Sequence, residues 1–400
     1  MEREADGPGA GSKMERGSAF NPWLDILNLQ LAMGQSAIDA LSSIIDVHPS
    51  SEPSRSVEGL EWTTEYRVLR ELPTSRLLDF SVGCENPDGA AVLIVAPYAL
   101  HGGSVADFAP GHSVVETLLR EGVRRLYLTD WRSATPERRF DSIDTHLAEL
   151  NVAIDDIGRG APVALVGLCQ GGWLAAAFAA RFPWKVRALA LVGAPIDITA
   201  EASALSGIAN ATPTAVIDEL LRRGEGLLLG RLLLAAWPLA QATSSEIREL
   251  LQSDDAAASG DDEALMRRFG QWNQAVRDLP GVFYRQVVDW IFRENRLAHN
   301  RLQALGETIE LERLTCPLFL LAGRDDEVVS PGQLTAIANL VGTPPGAIET
   351  RIVAGRHLSL FMGRATLARE WPRLARFLMG AYRGEKPSQI PADRGDTSTP

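Results

Sequence analysis

One short segment constrains this chain more than any other, because a sharp turn there carries a cysteine between a strand and a helix. An apolar run, Val163 to Val166, precedes the sequence GLCQGG at 167–172, and a helix-like run follows from Trp173 to Arg181. This pattern is typical of a nucleophile elbow. Such a turn strains the backbone, so small residues are required at positions 167 and 171. We interpret Cys169 as a nucleophile with the Gln170 N–H beside it; the alternative is a buried thiol at a strand end.

A carboxylate follows a later strand. The run Cys316 to Ala322 predicts a buried parallel strand, and Asp326 comes three residues past Gly323 on the loop that leaves it. In enzymes with a nucleophile elbow, the acid that orients the catalytic histidine lies on a loop after a late strand. Asp326 fits that position better than Asp325. The alternative role of Asp326 is to cap the helix that begins near Pro331.

His357 lies on the loop after a final short strand, Ile348 to Val353. The order along the chain is then nucleophile, acid, histidine, which is the order of the α/β-hydrolase fold and of neither chymotrypsin nor subtilisin. His357 is alternatively a packed loop residue. Of the other histidines only His101 follows a strand, and we expect it to be a loop residue near the oxyanion site. The order and the strand ends favour a triad of Cys169, Asp326 and His357.

Strands and helices alternate along much of the chain. Residues 65–82 predict antiparallel edge strands, and apolar strands follow at Ala90 to Val95, Arg125 to Thr129 and Val186 to Val192, with helix-like runs between them. Alternation of this length implies a right-handed, mostly parallel sheet. The predicted class is α/β, an α/β-hydrolase fold with a mostly parallel sheet, helices on both faces and a helical cap insertion.

The predicted organisation follows from where this alternation begins and stops. It consists of a disordered tail at 1–19, an N-terminal helix and linker at 20–59, the first part of the core at 60–198, a helical cap insertion at 199–310, the second part of the core at 311–383 and a disordered tail at 384–400. The insertion interrupts the sheet between the strands of the nucleophile and the acid, so we expect it to cover the mouth of the site. Its run Leu227 to Trp237 predicts a buried helix, too short to span a membrane; the alternative is a contact surface for a hydrophobic polymer or partner.

Composition excludes several classes of function. The net charge of −12 argues against nonspecific nucleic-acid binding, which needs a basic face. The three cysteines, Cys84, Cys169 and Cys316, form no even disulfide framework, and a working thiol suits a reducing compartment. Met1 to Gly17 lacks the apolar core of a signal peptide, so the predicted location is cytoplasmic. We expect no metal and no cofactor, because no ligand spacing or phosphate-loop lysine is present.

With these patterns in place, the chain resembles the poly(3-hydroxyalkanoate) synthase family, most of all the short catalytic subunits of its two-component class. The elbow GLCQGG is similar to that family's lipase-like box with cysteine as nucleophile, and the resemblance covers roughly residues 60–380. The other segments that carry it are Val95 to Leu100, Leu126 to Trp131, Gly193 to Asp197, Trp272, Pro280 and Gly281, Tyr284 to Gln286, Glu294 to Leu297, Gly323 to Pro331 and His357 to Arg364.

The chain also departs from the family pattern. Asp326 is followed by Glu327, where the family usually carries a histidine, and Ser330 precedes Pro331. The loop His101 to Ser104 replaces a bulkier and more polar stretch, and residues 199–260 of the cap match little. These differences leave the triad intact and bear on the polymerising activity and its substrate channel.

The resemblance implies an acyltransferase that moves 3-hydroxyacyl groups from coenzyme A thioesters to a growing polyester through an acyl-cysteine on Cys169. The triad histidine takes the thiol proton, and its acid holds the useful tautomer. The oxyanion is then held by backbone N–H groups of Gln170 and of the loop near Tyr98 and Ala99. Thioester exchange onto cysteine is nearly isoenergetic, so a thiol can store the acyl group, whereas a serine ester would release that energy early.

Implied partners are 3-hydroxyacyl-coenzyme A and the polyester chain, with a second synthase subunit or a second copy of this chain, and the polyester granule surface is an implied location. Nucleic acid and a transmembrane segment are not expected. Two other functions stay open. One is a hydrolase with the same triad, either an intracellular polyester depolymerase or a thioesterase, and an open, wet site would favour it. The other is a noncatalytic granule-associated paralogue, which requires a broken triad geometry.

Overall fold

The computed structural model describes residues 62–81, 89–235, 244–251 and 262–383 of this chain. Several predictions therefore lie outside the described residues. They are the tail at 1–19, the helix and linker at 20–59, the tail at 384–400, the surroundings of Cys84 and the position of Trp237.

An eight-stranded sheet forms the centre of the molecule. Its strands in chain order are β1 (Arg67–Glu71), β2 (Ser75–Asp79), β3 (Ala91–Val95), β4 (Arg125–Trp131), β5 (Val163–Leu168), β6 (Val186–Val192), β7 (Leu318–Gly323) and β8 (Ile348–Val353). Their order across the sheet is β1-β2-β4-β3-β5-β6-β7-β8. The pairs β1–β2 and β2–β4 are antiparallel, and the other pairs are parallel. The predicted mostly parallel sheet with an antiparallel edge is confirmed.

The strand sequences explain their places in the sheet. Strands β3, β5 and β7 are apolar runs buried along their whole length, as expected for parallel strands covered on both faces. Strand β1 is exposed at every residue and carries charges, which blunt a sheet edge against further pairing. Because parallel strands end at the same edge, the loops after β3, β5, β7 and β8 meet there.

Helices cover the sheet and build the insertion. In chain order they are α1 (Val114–Arg120), α2 (Ile143–Gly158), α3 (Gln170–Arg181), α4 (Ala204–Ala211), α5 (Thr214–Arg223), α6 (Gly230–Ala235), α7 (Ser244–Leu251), α8 (Asp262–Gln274), α9 (Gly281–Gln286), α10 (Pro331–Thr335), α11 (Ser359–Met362) and α12 (Arg364–Arg383). Helix α2 starts at a capping box between Ser142 and Thr145. Within the described ranges, no helix combines the length and the apolar character needed to cross a membrane.

The chain leaves the sheet between β6 and β7 and forms α4 to α9, followed by a π-helical segment, Val287–Arg293. The prediction of one buried helix from Leu227 onward is wrong at its start. Leu227 and Leu228 are buried but pair with Leu279 and Pro280 in a two-stranded ribbon, and α6 begins only at Gly230. Gly226 has a φ of +93°, a conformation that a right-handed helix does not contain, so helix α5 cannot continue into the leucines.

Candidate active site

Cys169 lies at the turn between β5 and α3. Its φ of 48° and ψ of −123° are strained for a residue with a side chain. Close approaches around the turn require glycine: a Cβ at Gly171 would lie 2.1 Å from the Val95 carbonyl oxygen, and one at Gly167 would lie 2.5 Å from the Gly172 Cα. The thiol is half-buried and stands at the N-terminus of α3, where the helix dipole favours negative charge.

Asp326 and His357 form a hydrogen-bonded pair on the loops after β7 and β8. His357 Nδ1 lies 2.8 Å from Asp326 Oδ2, and both side chains are buried. The other carboxylate oxygen accepts hydrogen bonds from the N–H groups of Val328 and Val329, each at 2.8 Å. Asp326 therefore orients a histidine and does not cap α10, while Asp325 is exposed.

The surroundings of His357 favour its protonated form. Burial opposes the charge, but the Asp326 carboxylate and the Cys169 sulfur outweigh burial and raise the pKa of His357 well above its usual value. Since Nδ1 donates to Asp326, Nε2 is the nitrogen that can interact with the Cys169 sulfur. A histidine oriented by a carboxylate and placed beside a thiol is the arrangement of a base that activates a nucleophile.

The loop that carries His357 is held by a carboxylate that the sequence did not single out as functional. Glu327 Oε2 accepts a hydrogen bond from the His357 backbone N–H at 3.4 Å. Glu327 Oε1 lies 3.3 Å from Arg356 Nη2. At the position after the aspartate, where the resembled family usually carries a histidine, this chain therefore has Glu327, which binds the loop that carries His357.

The three residues predicted to bind an oxyanion lie together, with an arrangement that the sequence did not indicate. The side-chain oxygen of Gln170, Oε1, accepts hydrogen bonds from the N–H groups of Tyr98, at 3.0 Å, and Ala99, at 2.9 Å. The elbow motif assigns a role only to the Gln170 backbone. Its side-chain contact was therefore missed, since residue type and spacing do not show where a long amide side chain turns.

Arg277, in the second half of the cap insertion, binds the loop that follows β3. The Arg277 guanidinium donates from Nη1 to the His101 carbonyl at 3.1 Å and from Nη2 to Asp130 Oδ1 at 2.9 Å. The Arg277 N–H also donates to the Leu100 carbonyl at 2.9 Å. Gly102 makes room for this contact, because a Cβ there would lie 1.2 Å from Arg277 Nη1. No motif in the sequence signalled Arg277.

His101 belongs to the same contact between cap and core. Its ring packs against Trp272 with centroids 3.8 Å apart, and its Nδ1 lies 3.5 Å from the Ala275 carbonyl oxygen. Burial lowers the pKa of His101 to about 3. His101 is therefore a neutral packing residue on the predicted loop, unsuited to serve as a base at neutral pH.

Cys316 differs from Cys169 in both position and chemistry. It precedes β7, whereas Cys169 follows β5, and these parallel strands place the two thiols at opposite edges of the sheet. Burial raises the pKa of the Cys316 thiol to about 12. Of the two cysteines within the described residues, Cys169 alone lies at the edge where Asp326 and His357 meet.

Comparison with known proteins adds independent findings. A profile of the alpha/beta hydrolase fold family matches residues 100–363. The chain is 26% identical over 317 residues to the poly(3-hydroxyalkanoate) polymerase subunit PhaC of Haloferax mediterranei, covering 75% of this chain and 61% of that protein, which is less than two thirds of its length. It is 28% identical over 272 residues to the PhaC subunit of a Synechocystis strain, covering 66% of this chain and 71% of that protein. These matches confirm the resemblance that the motifs indicated.

Among solved structures, the chain is similar to the monoacylglycerol lipase of Paleococcus ferrophilus. The two are 16% identical, and the superposition covers 73% of this chain and 96% of the lipase with a TM-score of 0.49.

Proposed function

The chain belongs to the α/β-hydrolase fold family, and from that premise we propose that it is an acyltransferase of the polyhydroxyalkanoate synthase type, with Cys169 as the acyl carrier. The observation that carries this proposal is the buried pair of Asp326 and His357 at the sheet edge where the elbow cysteine lies. The similarity to PhaC polymerase subunits supports 3-hydroxyacyl groups as the acyl class.

The first half of the proposed reaction loads the cysteine. The Cys169 thiolate attacks the carbonyl carbon of a 3-hydroxyacyl-coenzyme A, and the carbonyl oxygen becomes an oxyanion held by backbone N–H groups. Collapse of this intermediate breaks the bond to the coenzyme A sulfur. His357 Nε2 gives its proton to that leaving sulfur, and the Asp326 carboxylate stabilises the imidazolium until then.

The second half transfers the acyl group. His357 Nε2 accepts the proton of a hydroxyl group on another 3-hydroxyacyl unit, and the resulting alkoxide oxygen attacks the acyl-cysteine. An ester bond forms, the bond to Cys169 breaks, and the thiolate beside a protonated His357 is restored. A thioester on cysteine suits this step, because it keeps nearly all the energy of the coenzyme A thioester until the ester forms.

The contact between cap and core supports transfer over hydrolysis. Trp272 and Arg277 of the insertion pack on the loop after β3, beside the elbow, and an insertion that covers the cysteine would exclude the water that competes with a hydroxyl nucleophile. We further propose a second subunit or a second copy of the chain as partner, since both relatives are named as subunits.

The proposal is tested by incubating the pure protein with 3-hydroxybutyryl-coenzyme A while following coenzyme A release and the acyl product. The wild type should release coenzyme A and form ester-linked oligomers. Cys169→Ala should release none, and Cys316→Ala, the matched control at the other sheet edge, should retain most of the rate. Substantial release by Cys169→Ala would refute the acyl-cysteine, and free 3-hydroxybutyrate as the sole product would identify a hydrolase.

A further inference from the structure

The N–H groups that should receive an oxyanion are already bound within the protein. Tyr98 and Ala99 both donate to Gln170 Oε1, at 3.0 and 2.9 Å. A carboxamide oxygen is a carbonyl oxygen, so it makes the same kind of hydrogen bond as the thioester oxygen of a substrate. Preorganised donors assist a reaction only when they point at the oxygen on which charge develops.

We infer that the Gln170 side chain is a displaceable internal ligand of the oxyanion site, which a substrate carbonyl must replace before Cys169 can be acylated. The inference rests on the proposed function, because it concerns the same cysteine and the same carbonyl chemistry. It makes Gln170 a residue that controls entry to the tetrahedral intermediate.

The loop that bears the two N–H groups has other anchors, which argues that Gln170 does more than hold the loop in place. The Tyr98 hydroxyl donates to the Arg132 carbonyl at 2.9 Å, and the Tyr98 ring packs on Phe283 with centroids 5.5 Å apart. Arg277 binds the next two carbonyls of the loop. With these contacts in place, the loop keeps its conformation when the Gln170 carboxamide leaves.

Two side chains that line a small cavity together with Gln170 carry polar atoms without a hydrogen-bond partner within the described residues. The cavity is lined by Gln170 and Tyr98 together with His146, Trp173 and Phe283, among others. His146 Nδ1 faces the Ser142 carbonyl oxygen at 2.7 Å and so must donate, which leaves Nε2 as an acceptor. Burial lowers the pKa of His146 to about 4, so the ring is neutral at pH 7.

Trp173, another residue of this lining, has a polar atom of complementary character. Trp173 Nε1 is a donor, and neither it nor His146 Nε2 has a hydrogen-bond partner within the part of the chain that the structure describes. A carboxamide carries one acceptor oxygen and one donor NH₂ group. When the carboxamide turns away from Tyr98 and Ala99, its oxygen can therefore accept from the unpaired Trp173 donor, or its NH₂ group can donate to the unpaired His146 acceptor.

A small aldehyde tests this inference without a coenzyme A ester. Acetaldehyde adds reversibly to the Cys169 sulfur: the bond from sulfur to carbon forms, the carbonyl π bond opens, and the proton held by His357 Nε2 passes to the oxygen, with no leaving group. The oxygen of this hemithioacetal occupies the oxyanion site. The affinity for acetaldehyde is measured from how far it protects Cys169 from alkylation by iodoacetamide, with the alkylated Cys169 peptide quantified by mass spectrometry.

Two substitutions change the acceptor while keeping the length of the side chain. Gln170→Met removes the oxygen and should bind acetaldehyde about tenfold more tightly, within the roughly 5- to 150-fold range set by two hydrogen bonds of ordinary net strength. Gln170→Glu places a charged acceptor on the same N–H groups and should bind it about tenfold more weakly, since charge-assisted hydrogen bonds are stronger. With 3-hydroxybutyryl-coenzyme A, the initial rate of coenzyme A release should change in the same directions.

Equal or weaker acetaldehyde affinity in Gln170→Met overturns the inference and assigns Gln170 to holding the loop. If the methionine variant does not fold, Gln170→Ala provides the same comparison with a smaller side chain. The aldehyde result does not depend on the acyl donor. Failure of the wild type to release coenzyme A therefore contradicts the proposed function alone, and an unchanged aldehyde affinity contradicts the inference alone.

Discussion

Arg277→Met should destabilise the protein by removing one partner of a buried ion pair. The side chains of Arg277 and Asp130 are 6% and 1% exposed, and removing one member of such a pair typically costs about 3–5 kcal/mol. Asp130 Oδ2 keeps its ion pair with Arg76 at 2.5 Å, so the loss should fall near the lower end, about 3 kcal/mol. The lost hydrogen bond to the His101 carbonyl adds about 1 kcal/mol.

Urea unfolding followed by tryptophan fluorescence measures this loss. Arg222→Met is the matched control, because Arg222 forms a surface ion pair with Glu219 and its side chain is 69% exposed, so its midpoint should not move. A loss below about 1 kcal/mol in Arg277→Met would refute the reasoning, since that is the size of an exposed pair.

A second substitution tests whether the guanidinium and Gly102 share one space. Gly102→Ala should cost more in the wild type than in Arg277→Met, because the added Cβ would lie 1.2 Å from Arg277 Nη1. In the Arg277→Met background, the positive φ of residue 102 leaves a cost of about 1–2 kcal/mol. If Gly102→Ala lowered the free energy of unfolding equally in the two backgrounds, the Arg277 guanidinium would not be what excludes a side chain at position 102.

Three further predictions concern the site. Asp326→Asn should lower the pKa of His357. A raised histidine pKa stabilises the fold below about pH 6.5, and this effect is lost as the pH rises through the folded-state pKa, so the stability difference from wild type should shrink as the pH rises above 6.5. Gly171→Ala should yield little soluble protein, since its Cβ would lie 2.1 Å from a strand carbonyl, whereas Gly207→Ala, with nothing within 4 Å, should be tolerated. Native protein at pH 7.5 should be alkylated by iodoacetamide at the elbow cysteine and not at Cys316, whose thiol has a pKa of about 12; comparable labelling of Cys316 would contradict its burial.

The sequence by itself determined the strands, their mostly parallel sheet and the chain order of the candidate triad. These features are local or ordered along the chain: an apolar run predicts a buried strand, GLCQGG predicts the elbow, and the loops after β7 and β8 carry Asp326 and His357. Because all parallel strands end at one edge, the order of residues along the chain is enough to predict that these loops meet.

The tertiary structure alone decided how distant segments contact one another around that edge. Arg277 reaches Asp130 and the His101 carbonyl from a part of the cap that carries no motif, and this contact exists only because Gly102 leaves room for it. His101 is neutral because Trp272 and the cap bury it. The Gln170 carboxamide likewise binds loop N–H groups about seventy residues earlier in the chain. The packing of α3 beside β3 brings these groups together. Residue type and spacing show only what neighbours along the chain can do, so they do not predict such a contact.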